Sequence, residues 1–134
     1  MKTFQIKTAA HCCAVDITER IAAALKEISA LNGVCLIYVS HTTAAVTINE
    51  GADKSVMDDL LETLDTLVPW QGGYKHAEGN SAAHIKAVLA GESAQAIVDS
   101  GELVLGTWQR VFLLEFDGPR TRTIRVQFTG ERGA

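Results

Sequence analysis

The sequence has no run of basic residues, no CxxC pair and no long hydrophobic run. Its 12 Lys and Arg stand against 16 Asp and Glu, for a formal net charge of -4. That balance argues against the basic surface with which proteins bind nucleic acid. Without an apolar stretch of about 18 residues or an apolar signal core, we expect no membrane span and no secretion. The sequence therefore predicts a cytoplasmic protein with neither nucleic-acid nor membrane partners.

Cysteine is also scarce, because the chain holds only Cys12, Cys13 and Cys35. The adjacent Cys12 and Cys13 would point to opposite faces of a strand, so they cannot easily bond each other or share a metal. We expect three reduced thiols in an intracellular protein, with Cys35 in the core.

Two familiar enzyme signatures are missing. No glycine-rich phosphate loop of the P-loop or dinucleotide type is present, which argues against those nucleotide-binding folds. No GxSxG occurs, and neither Cys12 nor Cys13 has an identifiable base, so a nucleophilic triad is not supported.

The remaining composition is that of one globular domain over residues 1–134, with 47% hydrophobic and 21% charged residues. Alternating and helical apolar spacings predict an α+β fold with a mixed or antiparallel sheet and about three helices. Asp16 and Glu19 fit a capping box, Asn32-Gly33 a helix stop, and Pro69 the end of the second helix. The predicted helices are 17–31, 53–68 and 80–90, and the predicted strands are 2–8, 11–16, 34–39, 44–48, 94–99, 102–106, 109–117 and 120–129.

Three histidines lie where a binding site is often built. His41 follows the apolar run 34–39, which we interpret as a central strand buried on both faces, with 44–48 as its neighbour. His76 lies in a loop flanked by glycines, and His84 lies one helical turn after Asn80. Imidazole is a common zinc ligand. With no HxxxH or HxH pair, a metal site and ordinary surface histidines both remain open.

Alternation in 111–117 places Glu115 on one face with Val111 and Leu113. A carboxylate on an apolar face must be paired, ligated or raised in pKa, unless it lies at a wet sheet edge beside an Arg. Arg120 and Arg122 share a face with apolar residues further along, so each needs an anion such as Glu115 or a bound phosphate.

Asp59 lies at the edge of the apolar stripe of the second helix, where it can either reach a site or simply face solvent. Trp108 and Gln109 could stack on and hydrogen-bond a flat ring, although a Trp before a strand is more often part of a core.

Taken together, these residues form a pattern that resembles the YjbQ-like family, whose members are called secondary thiamine-phosphate synthases. The resemblance covers nearly the whole chain. The matching stretches are His41-Thr42-Thr43-Ala44, Asn49-Glu50 with Asp59, Tyr74-Lys75-His76, Asn80-Ser81-Ala82-Ala83-His84, Leu105-Gly106-Thr107-Trp108-Gln109, Glu115 and Asp117-Gly118-Pro119-Arg120.

The resemblance implies an α+β homotrimer in which His41, His76 and His84 bind a divalent metal, with Glu115 close by. Asn80 and Asp59 join Glu115 as catalytic candidates. The candidates for contact with a small phosphorylated substrate are Arg120, Arg122, Trp108, Gln109, Thr42 and Thr43.

Three functions follow from these expectations. The first is thiamine-phosphate synthesis, in which a pyrimidine-methyl diphosphate loses pyrophosphate to a thiazole phosphate. Pyrophosphate chemistry usually uses magnesium with oxygen ligands, whereas three imidazoles prefer zinc-like ions. The second is a zinc-type hydrolase of a phosphorylated or ester compound with Glu115 as general base. The third is a trimeric module that binds a small ligand or metal without catalysis.

Overall fold

The computed structural model describes all 134 residues and contains eight strands and three helices. The helix count and the antiparallel pairing of every strand pair agree with the prediction, but the strands form two sheets rather than one. The strands are β1 (Lys2–Lys7), β2 (Cys13–Asp16), β3 (Ala30–Val39), β4 (Ala44–Glu50), β5 (Ser93–Asp99), β6 (Glu102–Leu103), β7 (Gln109–Glu115) and β8 (Thr121–Arg132), and the helices are α1 (Thr18–Glu27), α2 (Lys54–Leu67) and α3 (Ser81–Ala90).

The two sheets divide the protein into layers. The larger sheet has the strand order β1-β8-β3-β5-β6, and the smaller has the order β2-β7-β4. A core of 16 buried residues, with contributions from α1, joins the two sheets. A second core of 7 buried residues joins the smaller sheet to α2 and α3. None of the three helices is both long and apolar enough to cross a membrane.

Strand β7 contributes to both cores because its side chains alternate. Val111 and Leu113 belong to the core between the sheets, whereas Phe112 and Leu114 belong to the core beneath the helices. The face assignment made from the sequence is therefore correct. It places the last residue of the strand, Glu115, on the side that faces the larger sheet.

The first helix is shorter than predicted. It ends at Glu27, and Leu31, Asn32 and Gly33 belong to β3 instead. Gly33 pairs with Gly130 of β8, and a Cβ at Gly33 would lie 2.2 Å from the carbonyl oxygen of Thr129. This glycine therefore serves close strand packing rather than a helix stop. The predicted capping box is also absent, because Asp16 accepts from the Thr18 N–H while Ile17 is the N-cap residue.

Two expectations about the central strands are wrong. Strand β3 is buried on one face only, since Val34 and Tyr38 are exposed on the other. Strand β4 is not its hydrogen-bonded neighbour, because the four residues between them carry the chain from the larger sheet to the smaller one. This crossing segment contains His41. Cys35 lies in the core, and all three cysteines are free, as expected.

The other helix boundaries agree with the sequence signals. Helix α2 ends at Leu67, directly before Val68 and Pro69. Helix α3 ends at Ala90, and its C-cap residue is Gly91, which has a φ of 96°. Asn80 is the N-cap residue of α3, but its side chain makes no capping hydrogen bond. Its amide is therefore available for contacts outside the helix.

Candidate functional site

A cavity of about 530 Å³ lies where four polar segments meet. These segments are the crossing between β3 and β4, the loop before α3, the first turn of α3, and the start of β8. No hydrophobic residue lines the cavity. Its lining residues are Ser40, His41, Thr42, Thr43, His76, Glu78, Asn80, His84, Arg120 and Arg122.

His76 and His84 are close neighbours in this cavity. Their ring centroids lie 5.4 Å apart, and the ring planes are inclined by 87°. Two imidazoles that bind one tetrahedral zinc ion through bonds of about 2.0–2.1 Å have centroids roughly 5 Å apart. The centroid spacing of this pair is thus close to that of two imidazoles on one zinc ion. The two rings also line an adjoining cavity of about 490 Å³ that opens towards Tyr74 and Ile85.

His41 differs from that pair because one of its ring nitrogens is already engaged. Its Nε2 accepts a hydrogen bond of 2.8 Å from the backbone N–H of Thr123. A neutral imidazole that accepts at Nε2 carries its proton on Nδ1. Burial lowers the pKa of His41 below its ordinary value, and the positive charge of Arg122 lowers it further. His41 therefore presents a neutral ring with an N–H donor at Nδ1.

The chain does not bring three metal-ligating side chains into one coordination sphere. No group of three His, Cys, Asp or Glu side chains is close enough together to hold a metal ion. The His76 and His84 pair fits two positions of a zinc-like ion, while the engaged Nε2 of His41 does not fit a third. The three-histidine ligand set implied by the resemblance is therefore not assembled within one chain.

Glu115 forms a buried ion pair with Arg122, which was one of the two partners expected for that arginine. Glu115 is fully buried and Arg122 is 3% exposed. Arg122 donates to both carboxylate oxygens, with a distance of 2.9 Å from Nε to Oε1. Its Nη2 also donates to the carbonyl oxygen and the hydroxyl of Thr43. Arg122 is therefore held mainly by the protein itself.

The remaining capacity of the Glu115 carboxylate is also occupied. Oε1 accepts from the hydroxyl of Thr8 at 2.7 Å, and Oε2 accepts from the backbone N–H of Asp117 at 3.1 Å. Burial alone raises the pKa of Glu115, but these bonds and the Arg122 charge outweigh it and hold the pKa below its usual value. Each oxygen accepts two bonds and none faces the cavity, so Glu115 does not fit the role of general base.

Arg120 has more freedom than Arg122. Its side chain is 51% exposed, and it bonds Asp117 through Nε to the carbonyl oxygen and through Nη2 to the carboxylate. The same Asp117 carboxylate accepts from the amide of Asn80 at 2.9 Å. Arg120 therefore keeps unused donors at the mouth of the cavity, and it is the arginine best placed to bind an external anion.

Three predicted site residues lie elsewhere. Asp59 lines a separate depression on α2 with Glu62 and Thr63. Trp108 is 63% exposed, and the side chain of Gln109 accepts from the N–H of Gly106. Because Gln109 and Glu115 are opposite ends of β7, about 20 Å of extended strand separates them. Within one chain, the tertiary structure does not bring these residues to the histidines.

Sequence reasoning also missed residues that the fold brings in. Thr8, just beyond β1, donates its hydroxyl to Glu115, and no motif or spacing distinguished this threonine in the sequence. Glu78 lines the cavity, and its position two residues after His76 in the same loop was a usable signal. Asp117 connects Asn80 to Arg120 through hydrogen bonds to both.

Comparison with known proteins gives the family directly. The model of the family described as UPF0047 protein YjbQ-like matches residues 2–131. The chain belongs to the YjbQ/UPF0047 family. The chain is 47% identical to UPF0047 protein YugU of Bacillus subtilis over 131 residues, which cover 97% of this chain and 99% of YugU. It is 46% identical to a UPF0047 protein of Methanocaldococcus jannaschii over 129 residues, 96% of this chain and 94% of the relative.

Solved structures of this family share the same fold. A YjbQ/UPF0047 family protein from Clostridium acetobutylicum superposes with a TM-score of 0.94 at 44% identity and covers 96% of this chain and 100% of its own. A protein from Sulfolobus solfataricus gives a TM-score of 0.92 at 36% identity, covering 97% and 96%. The first is described as uncharacterized and the second as of unknown function. Membership in the YjbQ family thus establishes the α+β fold, and the function has to be argued from the site.

Proposed function

We propose that this YjbQ family member is an enzyme of the thiamine-phosphate synthase type that acts on a small phosphorylated substrate. The observation that carries the proposal is the cavity lined by three histidines and two arginines with no hydrophobic residue. A cavity so rich in nitrogen donors suits the oxygens of a phosphate or diphosphate. The alternative of a hydrolase that uses Glu115 as general base has no such support, since that carboxylate is buried and saturated.

The proposed reaction asks little of the protein beyond positioning and charge stabilisation. The bond between the methylene carbon of a pyrimidine-methyl diphosphate and its diphosphate oxygen breaks, and the electron pair leaves with pyrophosphate. The lone pair of the thiazole nitrogen then forms the new carbon–nitrogen bond. The barrier falls where donors stabilise the charge that develops on the departing oxygen and where the reactants are held in line.

The residues of the cavity supply those donors. Arg120 presents its exposed guanidinium at the cavity mouth, where it would bind the terminal phosphate. The Nδ1–H of His41 and the hydroxyl of Thr42 would donate to the inner oxygens. Arg122 would contribute in two ways. Its hydrogen bonds hold Thr43 and Glu115 in place, and its guanidinium adds positive charge to the cavity.

A divalent, zinc-like cofactor fits the proposal through His76 and His84, whose spacing suits two ligands of one ion. When bound, such an ion would supply charge that stabilises the departing pyrophosphate. With no third ligating side chain close enough in the chain, further donors would come from substrate oxygens, which are also the ligands that magnesium favours. Asn80 would orient the substrate beside this pair.

We further propose that the working form is a homotrimer. Helix α3 is apolar around most of its circumference, yet Val88 is 82% exposed and Leu89 is 62% exposed. Ile97 on the outer face of the larger sheet is 61% exposed. The neighbouring Val88 and Leu89 form an exposed apolar patch on α3, which is where another chain can pack. The number of three chains comes from the resemblance to the YjbQ-like family. Light scattering should give a mass near three times 14.4 kDa; a mass near one chain refutes the trimer.

The reaction is tested by a coupled assay for thiamine phosphate. The purified protein receives the pyrimidine diphosphate and the thiazole phosphate with magnesium or zinc. We expect product from the wild type and its loss in His84→Ala. The matched control is Asp58→Asn on the exposed side of α2, which should leave the rate unchanged.

The assay also separates the alternatives. No product with any metal, together with calorimetric binding of the diphosphate that His84→Ala weakens, would identify a binding module and refute the synthase. Equal rates in the wild type and His84→Ala would show that His84 and its cavity take no part in the reaction.

A further inference from the structure

We propose that a second cavity, between strand β2 and helix α2, binds a small organic ammonium ion with a flat apolar body, such as an arylalkylamine. This second cavity has a volume of about 400 Å³, which is within the range of small-molecule sites. Six of its eleven lining residues are hydrophobic, whereas the cavity of the histidines has none. The two cavities share no lining residue, so the second site does not depend on the function proposed above.

The apolar wall of the second cavity comes from the smaller sheet and from α2. Ala14 lies on β2, Phe112 lies on β7, and Met57 and Leu61 lie one turn apart on the same face of α2. Met57 and Phe112 are buried members of the core between this sheet and the helices, and Ala14 and Leu61 pack against that core. Because the core holds these side chains in place, the wall offers a preformed apolar surface to a flat ring.

The polar part of the lining is negatively charged. Asp16, Glu50 and Asp58 contribute three carboxylates, whereas Lys54 is the one cation. Lys54 is paired with Asp58, with 3.3 Å between Nζ and Oδ2. Arg110, which lies outside the lining, is paired with Asp16, with 2.7 Å between Nε and Oδ2. Two of the three carboxylates therefore already have a positive partner.

Glu50 is the carboxylate that has none. It is half-buried, and its Oε2 accepts hydrogen bonds from the backbone N–H groups of Ala52 at 2.8 Å and Asp53 at 3.4 Å. Its Oε1 accepts no hydrogen bond from the protein. The backbone bonds fix the position of the carboxylate beside the apolar wall and leave one anionic oxygen for a ligand. A cationic N–H donor is the group that pairs with such an oxygen most strongly.

The apolar wall and the unpaired carboxylate together select the class of ligand. A phosphorylated compound would meet an excess of negative charge. A neutral apolar compound would cover Glu50 without pairing its oxygen, which is costly. A metal ion lacks ligands, since no three suitable side chains in the chain are grouped to hold one. An ammonium group on a flat apolar body satisfies both the wall and Glu50.

Calorimetry at neutral pH with three probes tests this selectivity. Tryptamine carries an ammonium group on an indole, tryptophol carries a hydroxyl on the same indole, and ethylammonium carries the cation alone. We expect the wild type to bind tryptamine about 10-fold or more tightly than tryptophol, as for one hydrogen bond to a charged group. Ethylammonium should give no measurable binding, because it leaves the apolar wall empty.

Variants then assign the selectivity to Glu50. Glu50→Gln keeps a carbonyl oxygen for the N–H groups of Ala52 and Asp53 and removes only the charge, so tryptamine should bind no more tightly than tryptophol. Leu61→Trp fills the cavity and should weaken both indoles. Glu102→Gln on β6 is the matched control and should retain the full selectivity. Circular dichroism establishes folding, and if Leu61→Trp does not fold, Glu50→Gln still decides the question.

The possible results separate cleanly. Selective binding of tryptamine that Glu50→Gln abolishes and His84→Ala retains supports the proposal, whatever the assay for thiamine phosphate gives. Equal affinity of the wild type for tryptamine and tryptophol overturns it, as does the absence of tryptamine binding. Full selectivity in Glu50→Gln also overturns it, and loss of binding in His84→Ala alone would place the amine in the cavity of the histidines instead.

Discussion

Glu115 at the end of β7 and Arg122 near the start of β8 form a buried ion pair that joins the two sheets. Glu115 belongs to the smaller sheet and Arg122 to the larger one. Thr8, just beyond β1, and Thr43, just before β4, complete the network. Because Thr43 and Arg122 also line the cavity, the same network fixes the position of the site.

Removing one member of the pair should destabilise the fold strongly. Arg122→Met leaves a fully buried carboxylate without its cation, which costs about 3–5 kcal/mol in the free energy of unfolding. The double variant Glu115→Leu with Arg122→Met should lose less than the sum of the two single losses, because no charge is then buried alone. Urea denaturation measures all three. Arg110→Met, which breaks an exposed pair with Asp16, is the control, expected to cost about 1 kcal/mol or less. An equally small loss in Arg122→Met would contradict the prediction.

The pair between Glu115 and Arg122 should also make the free energy of unfolding depend on pH in the acid range. The pKa of Glu115 is lower in the folded chain than its ordinary value of about 4.3. Its stabilisation is therefore fully present above that pH and is lost as the pH falls towards the folded-state pKa. We expect the difference in unfolding free energy between wild type and Glu115→Gln to shrink as the pH falls below about 4. A difference that stays constant down to pH 2 would exclude this linkage.

The stability of the fold around the buried Lys86 should depend on its ion pair with one exposed carboxylate. Its side chain is 1% exposed on α3, and its ammonium bonds Asp65 on α2, which is 61% exposed. Asp65→Asn removes the countercharge from a buried cation and should cost about 1–3 kcal/mol. Asp58→Asn on the same helix breaks only an exposed pair with Lys54 and should change stability by about 0.5 kcal/mol or less. Thermal unfolding of the two variants decides the point, and equal midpoints would refute it.

Gly118 should not tolerate a side chain. A Cβ there would lie 2.3 Å from the carbonyl oxygen of Ala10 and 2.8 Å from Cγ of Glu115. Gly118→Ala should therefore displace the buried carboxylate and destabilise the chain by about 1–3 kcal/mol, as overpacking does. Gly73→Ala is the matched control, because a Cβ at Gly73 meets no atom within 4 Å. The two variants should differ in their urea midpoints. Coinciding midpoints would contradict the prediction, because the backbone at Gly118 would then accommodate the Cβ without loss of stability.

The candidate site could be predicted only in part. His41, His76, His84 and Asn80 do line one cavity, although they lie on three different segments of the chain. The role of His41 could not be predicted from the sequence. Its Nε2 accepts a hydrogen bond from the backbone of Thr123, which is 82 residues away. The partners of Glu115 were equally distant, since Thr8 lies 107 residues before it. Such contacts depend on the register of strands and leave no periodic signal in the sequence.

The sequence by itself determined the α+β class, the three helices, the two faces of β7 and the family. Local spacing and strong motifs are sufficient for each of these, because alternation and helical periodicity depend only on neighbouring residues. The tertiary structure decided that the strands form two sheets, that β3 and β4 belong to different ones, and that Glu115 is paired and buried rather than free. It also separated Asp59, Trp108 and Gln109 from the histidines within one chain. These outcomes depend on which strands pair across the chain, and that choice is made by packing over the whole core.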